Sequence, residues 1–93
     1  MRLATLVAAT VLLELFAEEA AAQSRCRVMD PTGTPLNIRS GPNGEIIGKA
    51  QNGALVSILE STRDARGRAW VYVAHRASGD PLGWVYREFI ACF

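Results

Sequence analysis

Apolar residues along this chain fall into two regimes. Near the start, Leu3 to Leu13 forms an uncharged run of 11 residues, LATLVAATVLL. Beyond residue 25 no comparable run occurs. Apolar positions there come in short β-favouring stretches at Cys26–Met29, Leu36–Arg39, Ile46–Ala50, Leu55–Glu60, Ala69–Ala74 and Gly83–Tyr86. Turn-forming clusters separate them: Asp30-Pro31-Thr32-Gly33, Ser40-Gly41-Pro42-Asn43-Gly44, Asn52-Gly53, Arg66-Gly67 and Ser78-Gly79-Asp80-Pro81. Asn-Gly supplies the positive φ values that tight hairpins require. Short strands with regularly spaced turns predict an all-β barrel or sandwich. No segment after the leader is long or periodic enough for a substantial helix, and Arg87–Ile90 suits a single 3₁₀ turn.

Alternation assigns faces within these strands, because successive side chains point to opposite sides. Val56 and Ile58 share one side, as do Val71 and Val73, and Val85 faces away from Trp84 and Tyr86. The expected core is therefore Ile38, Ile47, Val56, Ile58, Val71, Val73 and Val85. Trp70, Tyr72, Trp84 and Tyr86 are expected outside the barrel or at its rim.

The leader changes the compartment. A positive start (Met1-Arg2), a short apolar run and the small residues Ala20-Ala21-Ala22 are the parts of a secretory signal peptide. As a helix the run would span about 16 Å, roughly half of a bilayer's hydrocarbon core. Residues 1–22 are read as a signal peptide cut after Ala22, and residues 23–93 as the exported domain, periplasmic or secreted, with no stable membrane span after cleavage. Glu14, Glu18 and Glu19 depart from the usual pattern and leave an uncleaved amphipathic helix as the alternative. Gln23-Ser24-Arg25 before Cys26 lacks the small apolar residues of a lipidation site.

Residues 23–93 carry nine Lys+Arg against six Asp+Glu, a dispersed net charge of +3. This is no nucleic-acid signature. Seventy-one residues make one domain with a thin core, and small exported domains commonly rely on a covalent staple. Cys26 and Cys92 are the chain's two cysteines and bracket everything foldable. Joined, they would restrict the unfolded chain by ~4 kcal/mol in the chain-entropy model. Two free thiols in a cytosolic protein is the competing reading, which the leader opposes. Two cysteines and the lone His75 are too few soft ligands for a metal site, and no cofactor motif is present.

The order of motifs resembles a known family. Leu36-Asn37-Ile38-Arg39-Ser40-Gly41-Pro42 resembles the opening LNVRSGP of bacterial SH3 (SH3b) domains. Ile47-Gly48, Asn52-Gly53, Val56-Ser57-Ile58-Leu59, Trp70-Val71-Tyr72-Val73 and Gly83-Trp84-Val85 follow in the family's order. The resemblance covers about Cys26 to Ile90. It implies a small SH3-like, partly open barrel of five to six short strands, here closed by a terminal disulfide. The terminal cysteine pair and the Asp30–Gly33 turn are additions to the family's pattern. In many relatives such a domain serves a wall hydrolase by gripping peptidoglycan, which carries over only as general ligand chemistry.

Candidate chemistry sits on the aromatic set. Exposed Trp and Tyr offer an apolar platform with a polar handle. Trp70, Tyr72, Trp84 and Tyr86, with Arg39, Asn43 and Glu45 beside them, are expected to bind a peptide or sugar face. The fold class implied by the resemblance puts the cleft between the loop after the first motif and the loop before Trp70. Packing of these rings against the thin barrel is the competing explanation. Arg63, Arg66 and Arg68 around Asp64, and His75 with Arg76 near Asp80, are read as solvated hairpin ends. No nucleophile, base and orienter stand at useful spacing. The expectation is a non-catalytic module for cell-wall peptide, peptidoglycan or an envelope protein. A protein-interaction or assembly domain without a glycan ligand is the alternative, and oligomeric state is left open.

Overall fold

The computed structural model describes residues 25–93. The proposed signal peptide and its cut after Ala22 lie outside the described residues. Seven strands and one 3₁₀ turn follow in order: β1 Cys26–Val28, β2 Leu36–Arg39, β3 Ile46–Ala50, β4 Leu55–Arg63, β5 Ala69–His75, β6 Pro81–Tyr86, the turn Arg87–Phe89, and β7 Ile90–Cys92. The short β7 is the element that alternation did not distinguish, since Ile90-Ala91-Cys92 gives too few positions to read a period.

The strands form one antiparallel sheet in the order β3-β2-β6-β5-β4-β1-β7. It bends into a barrel but does not close, so β3 and β7 are its edges. The longest hairpin, β4–β5, runs from Val56 opposite His75 to Arg63 opposite Ala69. At the far side β2 meets β6 through one paired position, Arg39 opposite Trp84. Gly83 makes that crossing possible. It takes φ +144°, and a Cβ there would stand 2.7 Å from Ile38 Cγ2 and 2.8 Å from the Arg39 carbonyl oxygen. Only a residue without a side chain lets β2 pass this close.

The core consists of Cys26, Val28, Leu36, Ile38, Ala50, Val56, Ile58, Val71, Val73, Val85 and Ile90. Six of the seven expected core residues are there. Ile47 is the exception, 56% exposed. The pairing of β2 with β3 shifts between Ile38 and Arg39, so Gly48 and Ile46 take the partner positions and Ile47 is the unpaired extra residue. A bulge on an edge strand turns a side chain that simple alternation would bury. A second bulge, between Ile58 and Glu60, leaves Leu59 unpaired on β4 and exposed.

Trp70 requires the other correction. It does point away from the valine core, as alternation demands, yet it is 1% exposed. Tyr86 covers it at 4.1 Å between ring centroids. Trp70 thus anchors a satellite cluster on the outer side of the sheet.

Cys26 and Cys92 are directly opposite on β1 and β7, and they form a disulfide with Cα atoms 4.0 Å apart. The β1–β7 ladder continues through Arg27 opposite Ala91 and Val28 opposite Ile90.

Candidate functional site

Cross-strand register builds one row on the outer surface. Ile46 pairs with Arg39, Arg39 with Trp84, Trp84 with Tyr72, and Tyr72 with Glu60. Directly paired residues of an antiparallel sheet project to the same side. Trp84 and Tyr72 are half-buried, with ring centroids 5.5 Å apart and a 48° tilt. They are flanked by a cation at Arg39 and an anion at Glu60. Arg39 is held in place because its Nη1 donates to the Gly44 carbonyl at 2.8 Å.

A cleft of about 130 Å³ adjoins this row. Thr34, Pro35, Asn37, Arg39, Tyr86 and Phe89 line it, with Asp30 at its rim. One wall, the β1–β2 loop, is braced. The Asp30 N–H donates to Asn52 Oδ1 at 2.6 Å, and Asn52 Nδ2 donates to the Thr34 carbonyl at 3.0 Å. Its opposite wall is set by the 3₁₀ turn, where Phe89 meets Tyr86 edge-on at 6.1 Å. Arg39 therefore belongs both to the cleft and to the aromatic row.

The groove expected between the loop after β2 and the loop before Trp70 is bridged. Asn43 Nδ2, on the first loop, donates to Asp64 Oδ2, on the second, at 3.1 Å. The same carboxylate oxygen accepts the Trp70 indole N–H at 3.0 Å. Asp64 Oδ1 accepts the backbone N–H groups of Arg66 and Arg68 at 2.9 and 3.0 Å. The Trp70 bond is the largest influence on this carboxyl. Partial desolvation opposes it, and the Arg68, Asn43 and Arg66 donors add to it, so its pKa falls from 3.8 to about 2. Arg68 lies against Tyr86, the ring that covers Trp70. Its guanidinium carbon lies 3.4 Å from the Tyr86 ring centroid, and it pairs with Glu88. The hairpin end, on which Arg63, Arg66 and Arg68 are exposed, is also organised by Asp64 into a polar cap.

The six residues proposed as ligand contacts occupy three places. Trp84 and Tyr72 form the open row with Arg39. Tyr86 joins Arg39 in the cleft. Trp70 lies beneath the cap, and Asn43 ties two loops together. Pro35, Asn37 and Phe89 are cleft residues that the aromatic criterion overlooked. Phe89 carried a signal, an apolar residue on the expected 3₁₀ turn, whereas nothing local marked Pro35.

A family model for the bacterial SH3 domain matches residues 34–91, more than half of the chain. The chain belongs to the bacterial SH3 domain family. No curated protein and no solved structure matches it. Domains of this family are binding modules, often connected with the cell wall. In this SH3 domain β1 and both cysteines fall outside the matched span, so the disulfide joins an added strand to the end of the barrel. The disulfide and the family together point to an extracytoplasmic location. No helix among the described residues is long and apolar enough to cross a membrane.

Proposed function

We propose that this SH3 domain is an exported, non-catalytic binding module, periplasmic or secreted after loss of residues 1–22, that grips cell-wall peptide or peptidoglycan. The observation carrying this reading is the half-exposed Trp84–Tyr72 pair, continuous through Arg39 with the cleft of Pro35, Tyr86 and Phe89. Tilted rings offer apolar faces to a sugar or peptide, while the Arg39 guanidinium supplies a fixed donor for a carboxylate. Trp70 and Asn43 enter this reading as supports that hold the loops and Tyr86 in position.

Purified sacculi should retain the exported domain in a pulldown. The double substitution Tyr72→Ala with Trp84→Ala should release it without changing its thermal midpoint by more than a few degrees. A wild-type domain that flows through refutes wall binding.

A second reading, a protein-interaction domain with no glycan ligand, is favoured by β3. Among the described residues that strand is an edge of the sheet, and it bears the exposed Ile46 and Ile47. Such an edge can accept a strand from a protein partner. Co-purification of one stoichiometric protein partner, lost on Ile46→Lys, would support it over wall binding.

A further inference from the structure

We propose that the outer face of β4, β1 and β7, away from the aromatic row, docks on an anionic lipid surface. Three of the six exposed large apolar residues among the described residues gather there: Met29 at 50%, Leu55 at 47% and Phe93 at 65% exposure. Register explains the grouping. Arg27 on β1 stands opposite Leu55 on β4 and Ala91 on β7. The backbone N–H of Phe93 donates to the Arg25 carbonyl, which extends the same ladder by one pair. Arg76 follows beside Leu55, to whose carbonyl its N–H donates at 3.2 Å. The face thus alternates apolar side chains with Arg25, Arg27 and Arg76.

Its arginines differ from most of those elsewhere in the domain, Arg66 excepted, whose bond is made by its backbone N–H. Arg39, Arg63 and Arg87 donate to the carbonyls of Gly44, Gly67 and Ile90, and Arg68 pairs with Glu88. Among the described residues, the guanidinium groups of Arg27 and Arg76 make no hydrogen bond or ion pair. Arg27 instead lies over the Phe93 ring at 5.4 Å. The nearest carboxylates in sequence, Asp30 and Asp80, sit in the flanking turns, and Asp30 Oδ1 is occupied by the Thr32 N–H and hydroxyl. Positive charge is therefore unspent on a face that also exposes apolar side chains.

That combination selects the partner. A soluble polyanion would use the cations and gain nothing from Met29, Leu55 and Phe93. A neutral protein surface would use the apolar groups and leave the arginines unpaired. An anionic bilayer uses both, with headgroups on the guanidinium groups and the apolar side chains in the interface. A shallow groove of about 450 Å³ continues the face, lined by Arg27, Val28, Met29, Pro31 and Gly53, and also by Asp30, whose Oδ1 is occupied by Thr32.

Vesicle flotation tests this with the exported, disulfide-bonded protein. It should float with phosphatidylcholine vesicles that contain phosphatidylglycerol and stay behind with phosphatidylcholine alone. Each arginine near an anionic surface is worth about fivefold in partitioning, so Arg27→Glu with Arg76→Glu should reduce flotation by at least about 25-fold. Met29→Ser with Leu55→Ser should also reduce it, whereas Trp84→Ala should not. Should either double variant fail to fold, wild-type flotation in rising salt replaces it and must fall steeply. Absence of flotation, or equal flotation with neutral vesicles, overturns the proposal. Insensitivity to the Met29/Leu55 change, with equal binding to a soluble polyanion, overturns it in favour of a polyanion site. Wall retention read through Tyr72 and Trp84 is independent of every one of these outcomes.

Discussion

At the scale of single residues, Asp64 holds more of the outer surface together than its place in a hairpin loop suggests. One carboxylate ties its own turn through two backbone donors, fixes the Trp70 indole and draws in the β2–β3 loop through Asn43. Each of these bonds is made to the ionised form, which is why folding lowers the pKa from 3.8 to about 2. A carboxyl depressed by folding contributes stability that is complete above its unfolded pKa and disappears as pH falls through the folded one. The thermal midpoint should therefore fall between about pH 4 and pH 2 through this group. In Asp64→Asn the midpoint should be lower than wild type at neutral pH, and the two should converge near pH 2. Parallel curves for the two proteins down to pH 2 would show that Asp64 ionisation contributes nothing. The polar cap was hard to read in sequence because Asp64 meets Asn43 across 21 positions, a contact created by the fold.

At the scale of elements, the period-two pattern located β1 to β6 to within a few residues, with β4 extending three positions further than expected. Val56, Ile58, Val71, Val73 and Val85 lie inside because their strands are central and each of these residues sits at a paired position and not within a bulge. The pattern fails at Ile47, because it is a bulge residue and a bulge inserts a position that strict alternation does not count. The faces of Tyr72 and Trp84 were legible, but the burial of Trp70 was not. Its cover comes from β6 and from Asp64, and single-strand periodicity is blind to what lies on top of a face. Strand β7 has three residues and pairs with one strand, β1, so its retention leans on the covalent link. Reduction, or Cys26→Ser, should lower the thermal midpoint by about 15 °C or more, from ~4 kcal/mol of lost chain restriction at roughly 4–8 °C per kcal/mol. Equal midpoints with and without reductant would assign the holding of β7 to packing alone.

At the scale of the whole molecule, the open barrel presents two outer surfaces with different chemistry. One is the aromatic row and cleft around Arg39; the other is the arginine and apolar face across β1. Strand β4 contributes to both, Glu60 to the first and Leu55 to the second, while Arg39, Tyr72 and Trp84 lie on β2, β5 and β6 and Arg27 lies on β1. The motif order made the barrel and its family readable, since turns, glycines and paired aromatics are local features. The cleft was less readable, because Pro35, Asn37, Tyr86 and Phe89 converge only after β2 has crossed β6 at Gly83.

The closing disulfide also has a mechanical meaning. Because Cys26 and Cys92 are neighbours, with Cα atoms 4.0 Å apart, a pull applied at residues 25 and 93 is borne by a sulfur–sulfur bond. The strands between them carry none of that load. Stretched from these two points, the oxidised domain should lengthen without an unfolding step, and the step should emerge only after reduction. A domain held between two anchors at the cell surface would thus keep its binding faces folded under tension, with its length under redox control.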